Sequence, residues 1–387
     1  MIMKSPKKRV KMLLDNNFQP DVRVYKEARF LVERGYDVEI IAMDKKNEKL
    51  DKQDEVMDGI KVHRLYPRSK YVTGLINKYK IISKFKMFIY FIWLIKFGCQ
   101  TKTYLKKDSA YCYLHCHDLM MAALAAIILK DKLLVFDMHE YYLKGDNSKR
   151  DWMLQKILTY TQNKAAYIIY VNNFQLKGIS EENRRKCIEL PNYPDIHLFK
   201  EIDKTVTSKI RIAYIGAARD YMSLKFFIDA SCNPDFEFRI HGIGSSYQEL
   251  KKYAESIGKN EILTGTYDGI NDIEMLYRNT DILYCVYQTK SANWQSAYPV
   301  KFFEAILTCT PIIVNKKAPY AKMVIDKRIG FCIDAEDPEA LPTLLGNITI
   351  ETLAEMKKNL YDIRFDYTWD KKVCNLLEIY KNDEVEG

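Results

Sequence analysis

Short apolar runs alternate along the chain with longer stretches of helical spacing. VKMLL (10–14) reads as a buried strand, followed by a polar loop and a helix from about Val22. In that helix Val24, Ala28, Leu31 and Val32 share one face at i, i+4, i+7 and i+8. Gly35 supplies the stop, and VEIIAM (38–43) is the next apolar run. The alternation continues through AYCYL (110–114), a helix from Asp118, LLVFD (133–137), a helix from about Ser148 and YIIYV (167–171). Strands alternating with helices predict a parallel, doubly wound sheet.

A joint bearing proline and asparagine, LPNYPDIHLF (190–199), and a polar stretch to Ser208 interrupt this series. A second series then starts: IRIAYIG, helix 222–231, FEFRIHG, helix 245–257, EIL, helix 271–277, DILYCVY, helix 299–308, PIIV, a further helix and FCI. The expectation is an α/β chain of two Rossmann-like domains facing across a cleft, 1–195 and 205–362. Ligands of such sheets lie at the carboxyl ends of the strands, so the loops there are the place to look. There is no repeat of solenoid period and no low-complexity segment.

Composition narrows the class. Of 387 residues, 48% are apolar and 29% charged, which fits a globular enzyme and excludes wholesale disorder. The nine cysteines show neither CxxC nor a Cys/His ligand spacing, which argues against a zinc site or a disulfide frame. The first apolar run is too short for a signal peptide, and no stretch reaches the roughly 18 apolar residues of a membrane span. A cytoplasmic location is the expectation.

The net charge of +9 is unevenly placed. Residues 1–190 hold 36 basic and 22 acidic residues, a net +14, and the remaining 24 basic and 29 acidic leave −5. Between Gly59 and Lys107 there are 12 Lys or Arg and no acid, and KFKMFIYFIWLIKF (84–97) lies inside this segment. Basic residues flanking an aromatic-rich stretch suit an anionic membrane surface, contacted through residues 71–107. The alternative is a core helix with solvated lysines. Nucleic acid is disfavoured, because no reading motif is present and the second half is acidic.

Polar residues gather where strands end. LHCHD (114–118) and FDMHE (136–140) put His115, His117 and His139 with three acids, Asp118, Asp137 and Glu140, near one rim of the first sheet. In YPVKFFEAILTCTPIIV (298–314), Phe302, Phe303, Ile306 and Leu307 form the apolar helix face. Glu304 lies near the helix N-terminus, where the dipole favours a carboxylate; that alone could account for it, or it could bind a ligand. GAARDYMSLK (216–225) carries Arg219 and Lys225, and HGIGSS (241–246) carries Gly242 and Gly244. Tyr267, in TGTYDG (264–269), is either a stacking face for a base or an exposed turn residue.

The segment 298–314 resembles the P-x-K-x-F-E-x-x-x-x-x-x-P signature of family-four retaining glycosyltransferases of the GT-B type, matching at Pro299, Lys301, Phe303, Glu304 and Pro311. The resemblance implies that Glu304 accepts hydrogen bonds from the ribose hydroxyls of a nucleotide sugar, which the two oxygens of a carboxylate suit. It implies that Lys301, Gly216, Gly242, Gly244 and Tyr267 line the donor site, and that Arg219 and Lys225 hold the diphosphate. Fixed cations there would stabilise the leaving group without a metal. Ser296 stands where many members carry an acid that contacts the donor hexose, Cys309 where glycine is usual, and Phe226 where glycine follows the lysine.

D-x-H-E at Asp137–Glu140 is typical of one branch of the family. It implies that His139 lies near the anomeric centre, oriented by Asp137 and Glu140. PDVRVYKEA (20–28) also matches this branch and puts Asp21 and Arg23 at the cleft beside His117 and Asp118. DNNFQP replaces the glycine-rich first loop of many relatives. The last segment, 363–387, resembles the helix that returns to the first domain. The activity this resemblance implies is transfer of sugar from a UDP- or GDP-linked donor to a glycan or lipid-linked acceptor, as in capsule, lipopolysaccharide or exopolysaccharide synthesis, with no cofactor and no metal. A silent GT-B partner subunit and a sugar-nucleotide epimerase are the rivals; a dehydrogenase is disfavoured because no strand leads into G-x-G-x-x-G.

Overall fold

The computed structural model describes residues 8–18, 21–45, 53–67, 86–108, 111, 113–128, 133–143, 148–199, 208–288 and 298–381. Ser296 and the basic residues 68–85 lie outside them. Two compact units are present: Met1–Leu190 with Asn375–Gly387, and Pro191–Cys374.

The first unit is built on β1 (Arg9–Leu14), β2 (Asp37–Met43), β3 (Asp54–Met57), β4 (Ile60–Leu65), β5 (Tyr113–His117), β6 (Leu133–Met138), β7 (Tyr167–Tyr170) and β8 (Cys187–Glu189). Their order is β3-β4-β2-β1-β5-β6-β7-β8. All pairings are parallel except β3 with β4, so the sheet is mixed rather than wholly parallel. That hairpin turns on Asp58 (φ 49°) and Gly59 (φ 81°), the left-handed pair a two-residue turn requires. Periodicity missed it because Asp54–Met57 is short and polar at the edge. β5 also starts later than the apolar run AYCYL suggests. Its register on β1 begins at Val10↔Tyr113, which puts His115 and His117 inside the strand.

Helices α1 (Val22–Glu33), α2 (Lys86–Lys107), α3 (Asp118–Ile128) and α4 (Lys149–Lys164) cover this sheet. Along α2, Leu94, Phe97, Thr101 and Leu105 are buried at i, i+3, i+7 and i+11. One face of the basic segment is therefore a core face. Its other side leaves Ile92 (46%) and Ile95 (59%) open beside exposed Lys96, Lys102 and Lys106. Among the described residues no helix is long and apolar enough to cross a membrane.

In the second unit, β9 (Ile210–Ile215), β10 (Phe236–His241), β11 (Leu263–Gly265), β12 (Ile282–Cys285), β13 (Ile312–Asn315) and β14 (Gly330–Ile333) form a parallel sheet. The order β11-β10-β9-β12-β13-β14 is the doubly wound arrangement, with its switch point between β9 and β12. The helices that bear on the site are α5 (Tyr221–Asp229), α6 (Tyr247–Ser256), α7 (Ile273–Arg278) and α8 (Val300–Leu307). α8 ends at Cys309 with φ 50°, a left-handed conformation that explains why glycine suits this position.

The chain changes units at Leu190/Pro191, earlier than 195, because Tyr193 already packs edge-on against Phe303 (centroids 4.6 Å) and Tyr367 (5.7 Å). The return starts at Asn375, later than 363. Helix α9 (Ile350–Ile363) packs on α8, and Trp369 N donates to Pro194 O (2.8 Å), so both stay with the second unit. The stretch read as one terminal helix is a turn at Trp369–Lys372, a 3₁₀ turn and a short α10 (Leu377–Lys381). Tyr380 on α10 is fully buried, edge-on to Tyr113 at 4.7 Å.

Candidate active site

β5 and β6 pair in register at His117↔Asp137, which brings two chain-distant polar groups side by side beneath the sheet rim. Asp21 caps α1, accepting from the N–H groups of Arg23 (3.2 Å) and Val24 (3.4 Å). Its role here is to start the helix, and that aims Arg23 at Asp137. The guanidinium binds Asp137 bidentately, Nε to Oδ2 at 3.0 Å and Nη2 to Oδ1 at 2.9 Å, and Nη1 donates to Leu190 O at 3.1 Å. Asp137 Oδ2 also lies 3.0 Å from His139 Nε2 and 3.2 Å from His117 Nδ1. The other nitrogen of His139 is 3.6 Å from Asp118 Oδ2.

Burial opposes charge throughout this cluster, and the partners decide where charge survives. Burial disfavours the Asp137 carboxylate, but Arg23 and His139 outweigh it and hold Asp137 well below the usual range. For His139, burial is outweighed by Asp137 and then Asp118, which push the imidazole up to about 9. His115 and His117 are lowered, chiefly by burial. At neutral pH His139 is therefore held as a cation that donates hydrogen bonds.

Glu27, one turn after Arg23, is fully buried, and burial followed by the Asp137 charge pushes it up to about 8. Behind it His115 Nε2 lies 3.5 Å away, and His115 Nδ1 is 2.9 Å from the Tyr380 hydroxyl. Glu27, His115, His117 and Asp137 could each offer one donor atom within 4.8 Å of the others. Arg23, 3.1 Å from Glu27 and 2.9 Å from Asp137, already sets a positive charge against both carboxyl groups. An ion held there would have to share these carboxyl groups with the guanidinium.

Both Glu27 and His139 hold their protons more tightly folded than unfolded. The stability they lend is complete below about pH 4.5 and 6.5 and is lost as pH rises through about 8 and 9. The urea midpoint is therefore expected to fall between pH 7 and 9.5. Glu27→Gln, which has no proton to lose, should make that decline shallower; an unchanged slope would exclude a neutral Glu27.

Asp118 opens α3 with φ 68°, a strained value for a non-glycine residue. Tyr142 holds it there, its hydroxyl donating to Asp118 Oδ1 (3.2 Å) and accepting from Leu119 N (3.1 Å). Asp118, His139, the exposed Glu140 and Tyr142 line a cavity of about 550 Å³ within the first unit. The carboxylates seen beside the His139 ring are Asp137 and Asp118, whereas Glu140 lies on the cavity wall.

In the second unit, the loops after β9 and β10 close on each other. Gly216 (φ 139°) and Gly242 (φ 109°) adopt conformations that side chains rarely take. A Cβ on Gly242 would strike Gly216 O, and one on Gly244 would strike Ala218 O. These glycines are thus required first by contact between loops, rather than by close approach to a ligand. Lys301 Nζ reaches the same spot: a Cβ on Gly216 would meet it. Its ammonium sits 3.8 Å over the Tyr214 ring, buried, and burial brings it down to about 8.

Glu304 is half-buried, and the Tyr277 hydroxyl donates to its Oε2 at 2.9 Å and to Lys301 O at 3.2 Å. Tyr267 is half-buried against Gly242 and is not an exposed turn residue; its phenol is raised by burial and by the Glu304 charge. Gly216, Gly242, Tyr267, Lys301 and Glu304 are therefore gathered together. Arg219 is exposed on the β9 loop, with its carbonyl accepting from Ser246 Oγ (2.7 Å). Lys225 points elsewhere: it ion-pairs with Asp229 at 2.7 Å, four residues on in α5, and lies 4.5 Å over the Tyr253 ring.

Sequence reasoning did not single out Glu27, Tyr277, Tyr142 or Tyr380. Glu27 carried a signal, standing four residues after Arg23 on a predicted helix. The tyrosines carried none, since their partners are distant in the chain.

Two Rossmann-like units, with a carboxylate, a buried lysine and interlocked glycine loops at the switch point of the second, define the GT-B fold of glycosyltransferases. Residues 196–359, most of the second unit, match the family model of the glycosyl transferases group 1. No curated protein matches the chain in sequence. Among solved structures, sucrose-phosphate synthase from Thermosynechococcus elongatus is similar at TM-score 0.71 and 13% identity, covering 97% of this chain and 98% of that one. HepE from Anabaena, solved with UDP and glucose, gives TM-score 0.66 and 15% identity over 96% of this chain and 99% of that one. The lipopolysaccharide outer core galactosyltransferase WaaB gives 0.58 and 13% over 96% and 99%. At these identities the likeness carries the fold.

Proposed function

We propose that the protein is a retaining, metal-independent glycosyltransferase that moves a sugar from a UDP- or GDP-linked donor to a glycan or lipid-linked acceptor at the inner face of the cell membrane. The observation that carries this reading is Glu304, fixed by Tyr277 beside Tyr267, Lys301 and the glycine loops. A carboxylate held this way can accept both hydroxyls of a ribose, and Tyr267 offers a flat face to the base. Lys301 and Arg219 supply positive charge for a diphosphate, the task a metal would otherwise perform. Lys225, engaged by Asp229, is left out of that group. HepE was solved with UDP and with UDP-glucose, and WaaB acts on a lipopolysaccharide core, which supports the donor class and the setting.

In the first unit, cationic His139 beside the cavity suits hydrogen bonding to a donor hydroxyl. The acceptor proton would pass to the departing phosphate oxygen in a front-face displacement, which needs no protein base. Glu304→Ala is expected to weaken UDP binding by about 1–3 kcal/mol, the usual cost of losing charged hydrogen bonds, with the fold intact. Calorimetry with UDP checks it, and wild-type affinity in the folded variant would remove the ribose assignment.

Membrane attachment rests on the outer side of α2, where Ile92 and Ile95 stand among Lys96, Lys102 and Lys106. Each lysine near an anionic surface contributes on the order of 1 kcal/mol. Cosedimentation with anionic vesicles should exceed that with neutral ones and fall with salt. Equal, negligible binding to both would leave α2 a core helix only.

A further inference from the structure

The segment that returns to the first unit is anchored there at both ends and meets the His139 cluster. Asn375 Nδ2 donates to Glu189 O at 2.9 Å, and Leu376, Ile379 and Tyr380 are fully buried. The Tyr380 carbonyl accepts from Lys8 Nζ and from the Tyr36 hydroxyl, each at 3.3 Å. With its ring held edge-on to Tyr113, the Tyr380 hydroxyl lies 2.9 Å from His115 Nδ1. A phenylalanine would fill nearly the same space, so packing alone does not require that hydroxyl.

Among the described residues this is the only hydrogen bond of the His115 ring, whose buried Nε2 forms none. Burial lowers the imidazole well below its usual range, so it is neutral. In a neutral imidazole the bond made at one nitrogen decides which nitrogen carries the proton and how the ring is turned. Two routes then lead from His115 to His139. Its ring stacks on that of His117 (centroids 4.5 Å, planes 20° apart), and His117 Nδ1 lies 3.1 Å from His139 Nε2. By the second route, His115 Nε2 faces Glu27 Oε2 at 3.5 Å, Glu27 faces Arg23 at 3.1 Å, and Arg23 grips Asp137. The routes meet where Asp137 Oδ2 holds His139 Nε2.

Resting on the glycosyltransferase reading for what His139 touches, we propose that Tyr380 is a positioning residue: its hydroxyl fixes His115 and, through His117 and Glu27, keeps the His139 ring where it bonds the donor sugar. The end of α10 thereby serves the site as well as closing the chain. Without the hydroxyl, His115 is a buried imidazole with no hydrogen bond, free to exchange its tautomers and to turn. Its neighbours His117 and Glu27 then lose a fixed partner, and the Asp137–His139 contact loosens with them.

The test is Tyr380→Phe in the full chain, which removes the hydroxyl and keeps a ring against Tyr113. Nitrogen NMR of histidine-labelled protein at pH 7 reads both rings, with signals assigned through His115→Gln and His139→Asn. His115 should pass from one tautomer to a mixture, and the His139 resonances should shift or broaden. Calorimetry compares UDP with UDP-glucose, which adds the sugar that His139 would touch. The variant should bind UDP-glucose about three- to tenfold more weakly, the scale of one buried hydrogen bond, and UDP as the wild type does. An unchanged His139 spectrum, equal UDP-glucose affinity in both proteins, or a wild-type His115 that is already a mixture of tautomers would each overturn the proposal. If neither protein binds UDP, the donor reading fails, and the NMR comparison alone decides the positioning.

Discussion

Asp137→Ala is expected to destabilise the protein by about 3–5 kcal/mol, the usual consequence of removing one partner of a buried ion pair. Arg23 is 6% exposed and makes two of its hydrogen bonds to Asp137, so truncation leaves a buried guanidinium with only Glu27 and the Leu190 carbonyl to face it. The loss spreads further, because Asp137 also holds His139 and His117. Without it, His139 keeps only Asp118 to offset burial, and its proton should be released at lower pH. Urea unfolding followed by circular dichroism measures the cost, and a change below about 1 kcal/mol would exclude a buried, charged pair. Pairing Asp137→Leu with Arg23→Met removes both charges and should recover part of the loss, since hydrophobic replacement of a whole buried pair is often tolerated.

The second unit is more legible in the sequence than the first, for physical reasons. Most strands of the second sheet are short apolar or alternating runs, so they follow from periodicity; β11 (Leu263–Gly265) starts two residues later than the run EIL suggests, because Asn260–Ile262 forms a 3₁₀ turn. Glu304 and Lys301 are also local, set four and one residues past Val300 on a single helix, so a linear motif captures them. The first-unit cluster is assembled from α1, β5, β6, the α3 start and α10, and its pattern lies in sheet register rather than in spacing. His115 and His117 were visible as a strand-end pair, and His117 does end β5, whereas His115 is interior to it. Tyr380 reaches His115 from 265 residues away, and nothing in a linear pattern encodes that contact. Lys225 shows the converse, since its position fits the motif while its ammonium goes to Asp229. The edge hairpin of β3 and β4 escaped because a strand at a sheet edge needs no apolar alternation to pair.

Arg219→Ala is expected to lower kcat by about two to three orders of magnitude with a smaller change in KM, as for the loss of one preorganised stabiliser of transition-state charge. Arg219 is exposed on the loop after β9, three residues past Gly216, where a Cβ would meet Lys301. Burial is the main reason the Lys301 ammonium is held down, and the Arg219 charge adds to it, so the two cations repel each other across a small space. An anion between them relieves that repulsion. In the proposed reaction the relief would grow as the bond from sugar to diphosphate breaks and negative charge gathers on the leaving group, so the contribution should be larger in the transition state than in the bound donor. Because Arg219 is exposed, its removal should leave the unfolding midpoint unchanged, which separates a catalytic loss from a structural one. Arg219→Lys should restore part of the rate, since a lysine keeps the charge but loses the planar fork. Steady-state kinetics with the donor in excess and in limiting amounts would distinguish the cases. A loss confined to KM would make Arg219 a uniform donor-binding residue and pass the transition-state role to Lys301 alone.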